Sequence, residues 1–382
     1  MSLDFTRRLR GLQEKMVEVG FDLVVFGSCQ NFQYLTGLLM DWRRGVDLAK
    51  GANCVLVPKE GEAILTLAEE SSEFASQTWI RDVRISKKGE EYGALVKKAV
   101  SDLALKGGKI GIGDHVFGST LVELERSIEG ASFHSAEALM DDLRMIKDAG
   151  EIEFVRKVAA LTDRVMESLI PKIKAGVTQR ELQLEVEFCG RLQGASDVSF
   201  PPTAGFVKSG SEISPDAFTY PKEKGLAAGT SVAFDMGFVM DGYCSDFGRS
   251  FYFGSAGREV KEGYDALHGG VLDTVDKMFD GSMRVCDVFP VLEKILDKLG
   301  YGQYLRARLK TRTLGHNIGV EVHEPPWLSP AYDQMLCTNM VMALEPKVWH
   351  AGEYYLRVED VVLIGHKKSE ILTNFDRELF EL

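Results

Sequence analysis

Cysteine is scarce in this chain: six in 382 residues, with no C-x-x-C pair among them. Scattered thiols at 29, 54, 189, 244, 286 and 337 read as reduced and mostly buried, as suits a cytoplasmic protein. No apolar run approaches the roughly 18 residues of a membrane span, so no membrane partner is expected. The opening stretch "MSLDFTRRLRGLQEKMVEVGFDLVVF" is interrupted by charge throughout and has no signal-peptide core. Basic residues are outnumbered, 45 against 57 acids, for a net charge of −12. That balance argues against a general nucleic-acid binder. It reads as a solvated acidic surface, with some of the acids collected at a cation site. No internal repeat or low-complexity tract is present. "IGIG" lacks the third glycine and the following helix of a dinucleotide fingerprint.

What is present first is an alternation of helix and strand. Phe5, Leu9, Leu12, Met16 and Val19 recur at helical spacing and predict an amphipathic surface helix. "DLVVFGS", then "ANCVLVP" and "GEAILTLA" around a turn at Pro58–Gly61, read as strands. "EYGALVKKAVSDLAL" and "TLVELERSIEG" read as helices around the strand in "GGKIGIGD". This predicts an α/β domain over residues 1–145. A long helix is expected from Glu151, ended by Pro171 and Gly176. The capping-box spacing of Thr178 and Glu181 opens a second helix. Helices from Lys261 to about Leu309 and strands in "NMVMALEP", "YYLRVEDVVLIG" and "EILTN" complete a second domain over 150–382. Helices layered on an antiparallel sheet make it α+β.

The stretch "FDMGFVMDGYCSDFGRSFYFG" puts Asp235 and Asp246 into otherwise apolar strand, where aspartate is depleted. Asp241–Gly242 is a two-residue hairpin signal. A turn centred there pairs residues whose numbers sum to 483, so Asp235 faces Gly248 and Asp246 faces Gly237. The two carboxylates then share a face as diagonal neighbours, with backbones roughly 7–8 Å apart. They can converge on one cation or on two. Alone, the pair also reads as two acids on a wet sheet face. Glu345 in "MVMALEPKVW" and Glu359 in "YYLRVEDVVLI" are equally out of place. Each singly reads also as an acid paired to Arg357 or Lys347. "GHNIGVEVHEPP" adds His316 and His323; either alone reads also as a hydrogen-bonded core histidine. Two Asp, two Glu and a His in strand-like sequence suit hard divalent ions such as Mn²⁺, with Fe²⁺, Co²⁺ and Zn²⁺ possible. Four carboxylates balance two divalent cations, which permits burial.

In the order and spacing of "DMGFVMDGYCSD", "GHNIGVEVHEPP", "ALEP" and "RVEDVVLI", the chain resembles the pita-bread metallopeptidases. These include Xaa-Pro dipeptidases, Xaa-Pro aminopeptidases, methionine aminopeptidases and creatinase. "NFQYLTG" resembles the creatinase-type N-terminal domain and "LRMIKDAGEIEFVRKVAALTD" the domain junction. The resemblance implies Asp235 on one metal, Asp246 and Glu359 bridging two, and His316 with Glu345 completing the other. It makes Glu345 the proton shuttle and puts His323 at the substrate carbonyl, where a donor meets a developing oxyanion. The expected substrate-contacting set is His323, Phe218, Tyr243 and Arg357. The implied reaction is hydrolysis of Xaa-Pro bonds in dipeptides or peptide N-termini by a metal-bridging hydroxide, in a cytoplasmic homodimer. A lyase or C–N hydrolase acting on a small zwitterion on the same fold is the alternative, motivated by Phe218 and the run "MDWRRGVD".

Three departures stand out. Family peptidases carry a loop histidine where this chain has Phe218, 17 residues before Asp235, with Asp216 nearby. Losing such a donor can cost roughly 10²–10³ in rate. The usual G-H-G-I-G is "GHNIG", with Asn317 after the ligand, and Gly248 replaces the usual threonine two residues after the bridging Asp.

Overall fold

A computed structural model describes residues 3–40, 42–44, 53–87, 92–210, 221–376 and 378–382. The chain divides into two compact units, residues 2–144 and 145–382. The first unit runs α1 (Phe5–Val19), β1 (Leu23–Gly27), α2 (Gln30–Thr36), β2 (Cys54–Pro58), β3 (Ile64–Leu67), β4 (Asp82–Ile85) and α3 (Tyr92–Asp102). It continues with β5 (Gly108–Ile112), α4 (Gly118–Ser127), β6 (Ala131–Ser135) and α5 (Glu137–Met145). Asp4 caps α1 by accepting from the Arg7 N–H, and Gly20 closes it at φ 78°, a left-handed conformation that suits glycine. Leu9, Leu12 and Met16 form its buried face, while Val19 is exposed. A six-stranded mixed sheet has the order β4-β3-β2-β1-β5-β6. Leu23, Val25, Leu56, Ile110 and Leu124 share its core with α3 residues Val96, Ala99 and Val100.

The second unit begins with α6 (Ala149–Leu169) and α7 (Gln179–Leu192). Both open on a capping box, Asp148 with Glu151 and Thr178 with Glu181. Each box satisfies two backbone N–H groups that the first turn leaves without partners. Strands β7 (Asp197–Val198), β8 (Thr203–Lys208), β9 (Thr230–Asp235), β10 (Phe238–Met240), β11 (Tyr243–Cys244) and β12 (Gly248–Phe253) follow. Then come α8 (Arg258–Val275), α9 (Val288–Lys298) and α10 (Gly302–Arg308). Strands β13 (Gly315–Asn317), β14 (Glu324–Trp327), β15 (Val341–Leu344), β16 (Lys347–His350), β17 (Tyr354–Leu363) and β18 (Glu370–Ile371) end the chain.

The main sheet has the order β14-β13-β15-β17-β12-β9-β8, with β16 and β18 also on β17; every pairing in it is antiparallel. The hairpin has the register read from Asp241–Gly242. Val239 faces Cys244, Ala233 faces Ser250 and Met236 bridges Phe247, so each pair sums to 483. Asp241 and Gly242 lie at φ 51° and 81°, the paired positive values of a type I′ turn.

Alternation along the strands decides which face carries chemistry. Val232 and Phe234 pack with Val158, Leu161, Val165, Leu182 and Val186 of α6 and α7. Leu356, Val358 and Val362 pack with Leu267, Val271, Leu292 and Leu296 of α8 and α9. Each such fully buried side chain contributes about 1.5–3 kcal/mol. The intervening residues, Asp235 on β9 and Arg357 and Glu359 on β17, point to the face away from those cores.

Candidate metal centre

Five neighbouring strands, β13-β15-β17-β12-β9, each bring one acid or imidazole to that face. His316 lies in β13 opposite Ala343 of β15. Glu345 follows β15 directly, its N–H held by the Leu314 carbonyl at 2.9 Å. Glu359 faces Gly248, the first residue of β12, and Asp246 lies two residues before that glycine. Asp235 ends β9. Ligand atoms of Asp235, Asp246 and Glu359 lie within 4.8 Å of one another, as do those of Asp246, His316 and His323. Asp246 belongs to both groups, the arrangement a bridging carboxylate needs. Glu345 Oε1 is 3.8 Å from His316 Nε2.

Asp246, Glu359 and His316 are almost wholly buried, yet Asp246 Oδ1, Glu359 Oε1 and His316 Nε2 have no hydrogen-bond partner among the described residues. Orphaned buried polar atoms are costly unless an ion or water completes them. His316 Nδ1 lies 3.1 Å from the Asn317 carbonyl. A carbonyl only accepts, so Nδ1 carries the proton, and in the neutral ring Nε2 has a bare lone pair aimed at the acids. The donor set therefore fits divalent cations. Burial pushes the Asp246 and Glu359 pKa values well above the carboxylate range, and the neighbouring negative charges add to it.

Two cations of the chain also reach these acids. Arg357 Nη1 contacts Asp235, and its Nη2 lies 2.7 Å from Glu359 Oε2 and 3.1 Å from Glu345 Oε2. Lys347 pairs with Glu345. Burial alone would raise Glu345, but Lys347 and Arg357 bring its pKa down to about 2. Salt bridges to Arg357 and Lys347, legible in the sequence as an alternative for Glu345 and Glu359, thus coexist with the convergence of ligands. Gly248 makes this possible. A Cβ there would lie 2.6 Å from Arg357 Cδ and Nε.

His323 keeps an exposed surface and stacks on Trp327, ring centroids 5.3 Å apart. The protein packed around its ring, then the His316 imidazole 4.5 Å away, lower its pKa. Trp327 was not singled out in the sequence; it stands opposite His316 across β13 and β14, a pairing set by the fold. Tyr243 is buried in the core instead, stacked on Phe154 with its hydroxyl donating to Glu151. Trp42 donates to Gln33 and carries Arg43 over its ring. Phe218 and Asp216 lie outside the described residues.

Beneath the imidazoles runs a buried polar network. Lys147 Nζ donates to Asn317 Oδ1 at 2.8 Å and to Glu324 Oε2 at 3.1 Å, and Asn317 Nδ2 donates to the Pro325 carbonyl. The asparagine that replaces glycine after His316 thus ties β13 to β14.

Residues 153–366 match the model of metallopeptidase family M24, and residues 8–146 match the creatinase/prolidase N-terminal domain. The first match spans more than half of the chain, and the chain belongs to metallopeptidase family M24. Its architecture is that of a pita-bread metallopeptidase domain preceded in the sequence by a smaller creatinase-type α/β domain. Among curated relatives, a putative dipeptidase YkvY of Bacillus subtilis is 25% identical over 98% of this chain and 99% of its own length. Among solved structures, a prolidase from Thermococcus sibiricus superposes with TM-score 0.85 at 28% identity, covering all of both chains. An Xaa-Pro dipeptidase from Bacillus anthracis does so with TM-score 0.85 at 25% identity, covering 99% of this chain and 100% of that one.

Proposed function

We propose that this chain is a dinuclear metallopeptidase that hydrolyses Xaa-Pro dipeptides. One observation carries the reading. Asp235, Asp246, His316, Glu345 and Glu359 converge, and three of their buried atoms, Asp246 Oδ1, Glu359 Oε1 and His316 Nε2, have no hydrogen-bond partner among the described residues. The prolidase and Xaa-Pro dipeptidase likenesses support the substrate class. Oxygen donors with one imidazole favour Mn²⁺ over softer ions.

Asp235, Asp246 and Glu359 would hold one cation; Asp246, His316, Glu345 and Glu359 the other. Bound there, divalent ions supply a water acidic enough to ionise near neutral pH and a Lewis acid for the scissile carbonyl. His323, beside His316 and stacked on Trp327, donates to the oxygen on which negative charge develops. Glu345, whose Oε1 faces His316, would receive the proton of the attacking water. Trp327 fixes the His323 ring and shields one face of it from solvent.

The test is a panel of Xaa-Pro dipeptides and tripeptides, run on chelator-stripped protein reloaded with Mn²⁺, Co²⁺, Zn²⁺ or Fe²⁺. Dipeptide cleavage is expected, with Mn²⁺ the best activator. Asp246→Ala should lose bound metal and more than about a hundredfold in rate, since even outer-shell changes cost that much. No cleavage of any Xaa-Pro substrate by protein with verified metal content would sink the proposal.

A further inference from the structure

The acids of the centre are not balanced as four carboxylates alone would be. Among the described residues Asp235, Asp246, Glu345 and Glu359 are four acids and Arg357 and Lys347 two cations, so with every group ionised the cluster would carry −2. Lys347 opens β16 directly opposite Arg357 on β17. Like charges at opposed positions repel, and the Lys347 side chain is only 12% exposed. What reconciles the pair is Glu345, whose Oε2 meets both the ammonium and the guanidinium. The other oxygen, Oε1, faces His316. Glu345 can thus offer a metal only one unencumbered oxygen, with a fixed positive charge behind it.

We propose that Lys347 is a tethered counter-cation that competes with a divalent ion for Glu345. It makes the two metal positions unequal and weakens the one beside His316. This rests on the metal-centre reading above and adds a residue that the ligand set does not include. Three features carry it. The lysine is nearly buried, and its contact is made to a ligand rather than to a surface acid. Its ammonium is a compact point charge on a flexible stem, so it can be displaced. The guanidinium of Arg357 cannot leave as readily, because it is held by three carboxylates at once. Filling the position beside His316 therefore means driving Lys347 off Glu345, or binding against its charge.

The measurement is Mn²⁺ binding to the chelator-stripped full chain, followed by calorimetry and checked by metal analysis. Wild type should show two steps of unequal affinity. Lys347→Met should tighten the weaker step by about tenfold or more, as expected when a charge a few ångström away is removed. Lys347→Arg keeps the charge and should bind no tighter than wild type. Melting in chelator checks that each variant folds, and Lys347→Gln replaces the methionine variant if that one does not. Unchanged or weaker binding after the charge is removed overturns the proposal. Asp246→Ala separates the two failures. If it loses metal while Lys347→Met is silent, only the lysine's role is wrong. If it binds metal as wild type does, the centre itself has been misassigned and this inference goes with it.

Discussion

Two ionic clusters lie back to back on β17. Glu359 points into the candidate metal centre, and its neighbour Asp360 points to the opposite face. There Asp360 Oδ1 accepts from Arg249 Nη2 and from Thr373 Oγ1, both at 2.7 Å. Arg249 is likewise the neighbour of Gly248 on β12. On the Asp360 face a buried acid has an arginine at hydrogen-bonding distance, and Arg249 also donates to the Glu359 carbonyl. On the Glu359 face, among the described residues, four acids (Asp235, Asp246, Glu345 and Glu359) meet two cations, Arg357 and Lys347. Both clusters are buried, so burial does not distinguish them. Each face leaves a buried acid oxygen without a hydrogen bond among the described residues, Asp360 Oδ2 on one and Glu359 Oε1 on the other, so what separates the two faces is the ratio of acids to cations.

That contrast is broken most severely at its structural half. Arg249→Met should cost about 3–5 kcal/mol of stability by stranding Asp360. A denaturant melt should show the loss, while the metal bound per folded molecule stays at the wild-type value. Loss of metal at unchanged stability would reverse the two assignments.

His323→Ala sharpens the functional half. The rate should fall roughly 10²–10³-fold, the cost of one oxyanion donor, with metal content and melting temperature kept. A fall in metal content instead would make His323 a ligand.

The smallest effect concerns Asp163 on α6, which accepts from the N–H groups of Asn374 and Phe375 beside the Asp360 cluster. Burial lifts its pKa to about 6, with the negative charge of Asp360 adding to it. A raised folded-state value means that its favourable contribution is complete below the ordinary aspartate range near 4. The contribution is lost as pH rises through about 6. Carboxyl carbon NMR should give a midpoint about two units above that of an ordinary aspartate. A midpoint near 4 would show that the two N–H bonds outweigh burial.

How much of this the sequence reveals depends on how local the determinant is. The Asp241–Gly242 turn sets the hairpin register by its own backbone geometry, so the diagonal placement of Asp235 and Asp246 was readable residue by residue. Helices α6 and α7 announce themselves by capping boxes and 3.6-residue spacing. Helix α2 does not, because all seven of its residues are buried, Gln30, Asn31 and Gln33 among them, which removes the amphipathic pattern. Strand β6 escapes notice for the opposite reason: it is half-exposed and has no apolar face to read. Glu359 stands out as an acid in an apolar run, but so does Asp360. No pattern in the sequence tells the candidate ligand from the structural acid, because the difference lies in which other acids and cations distant strands bring beside each. The Lys147–Asn317–Glu324 network joins residues 170 and 177 positions apart and is equally silent.

Gly248 has one further implication, for engineering. Its missing methyl group is the space through which a guanidinium reaches three carboxylates. A single carbon atom introduced at 248 would lie 2.6 Å from Arg357 Cδ and Nε and 2.8 Å from Glu359 Oε2, so the ion pair itself must shift while every formal charge in the protein stays as it was. The charge arrangement around these acids can therefore be altered by volume alone, at a position that carries no charge of its own.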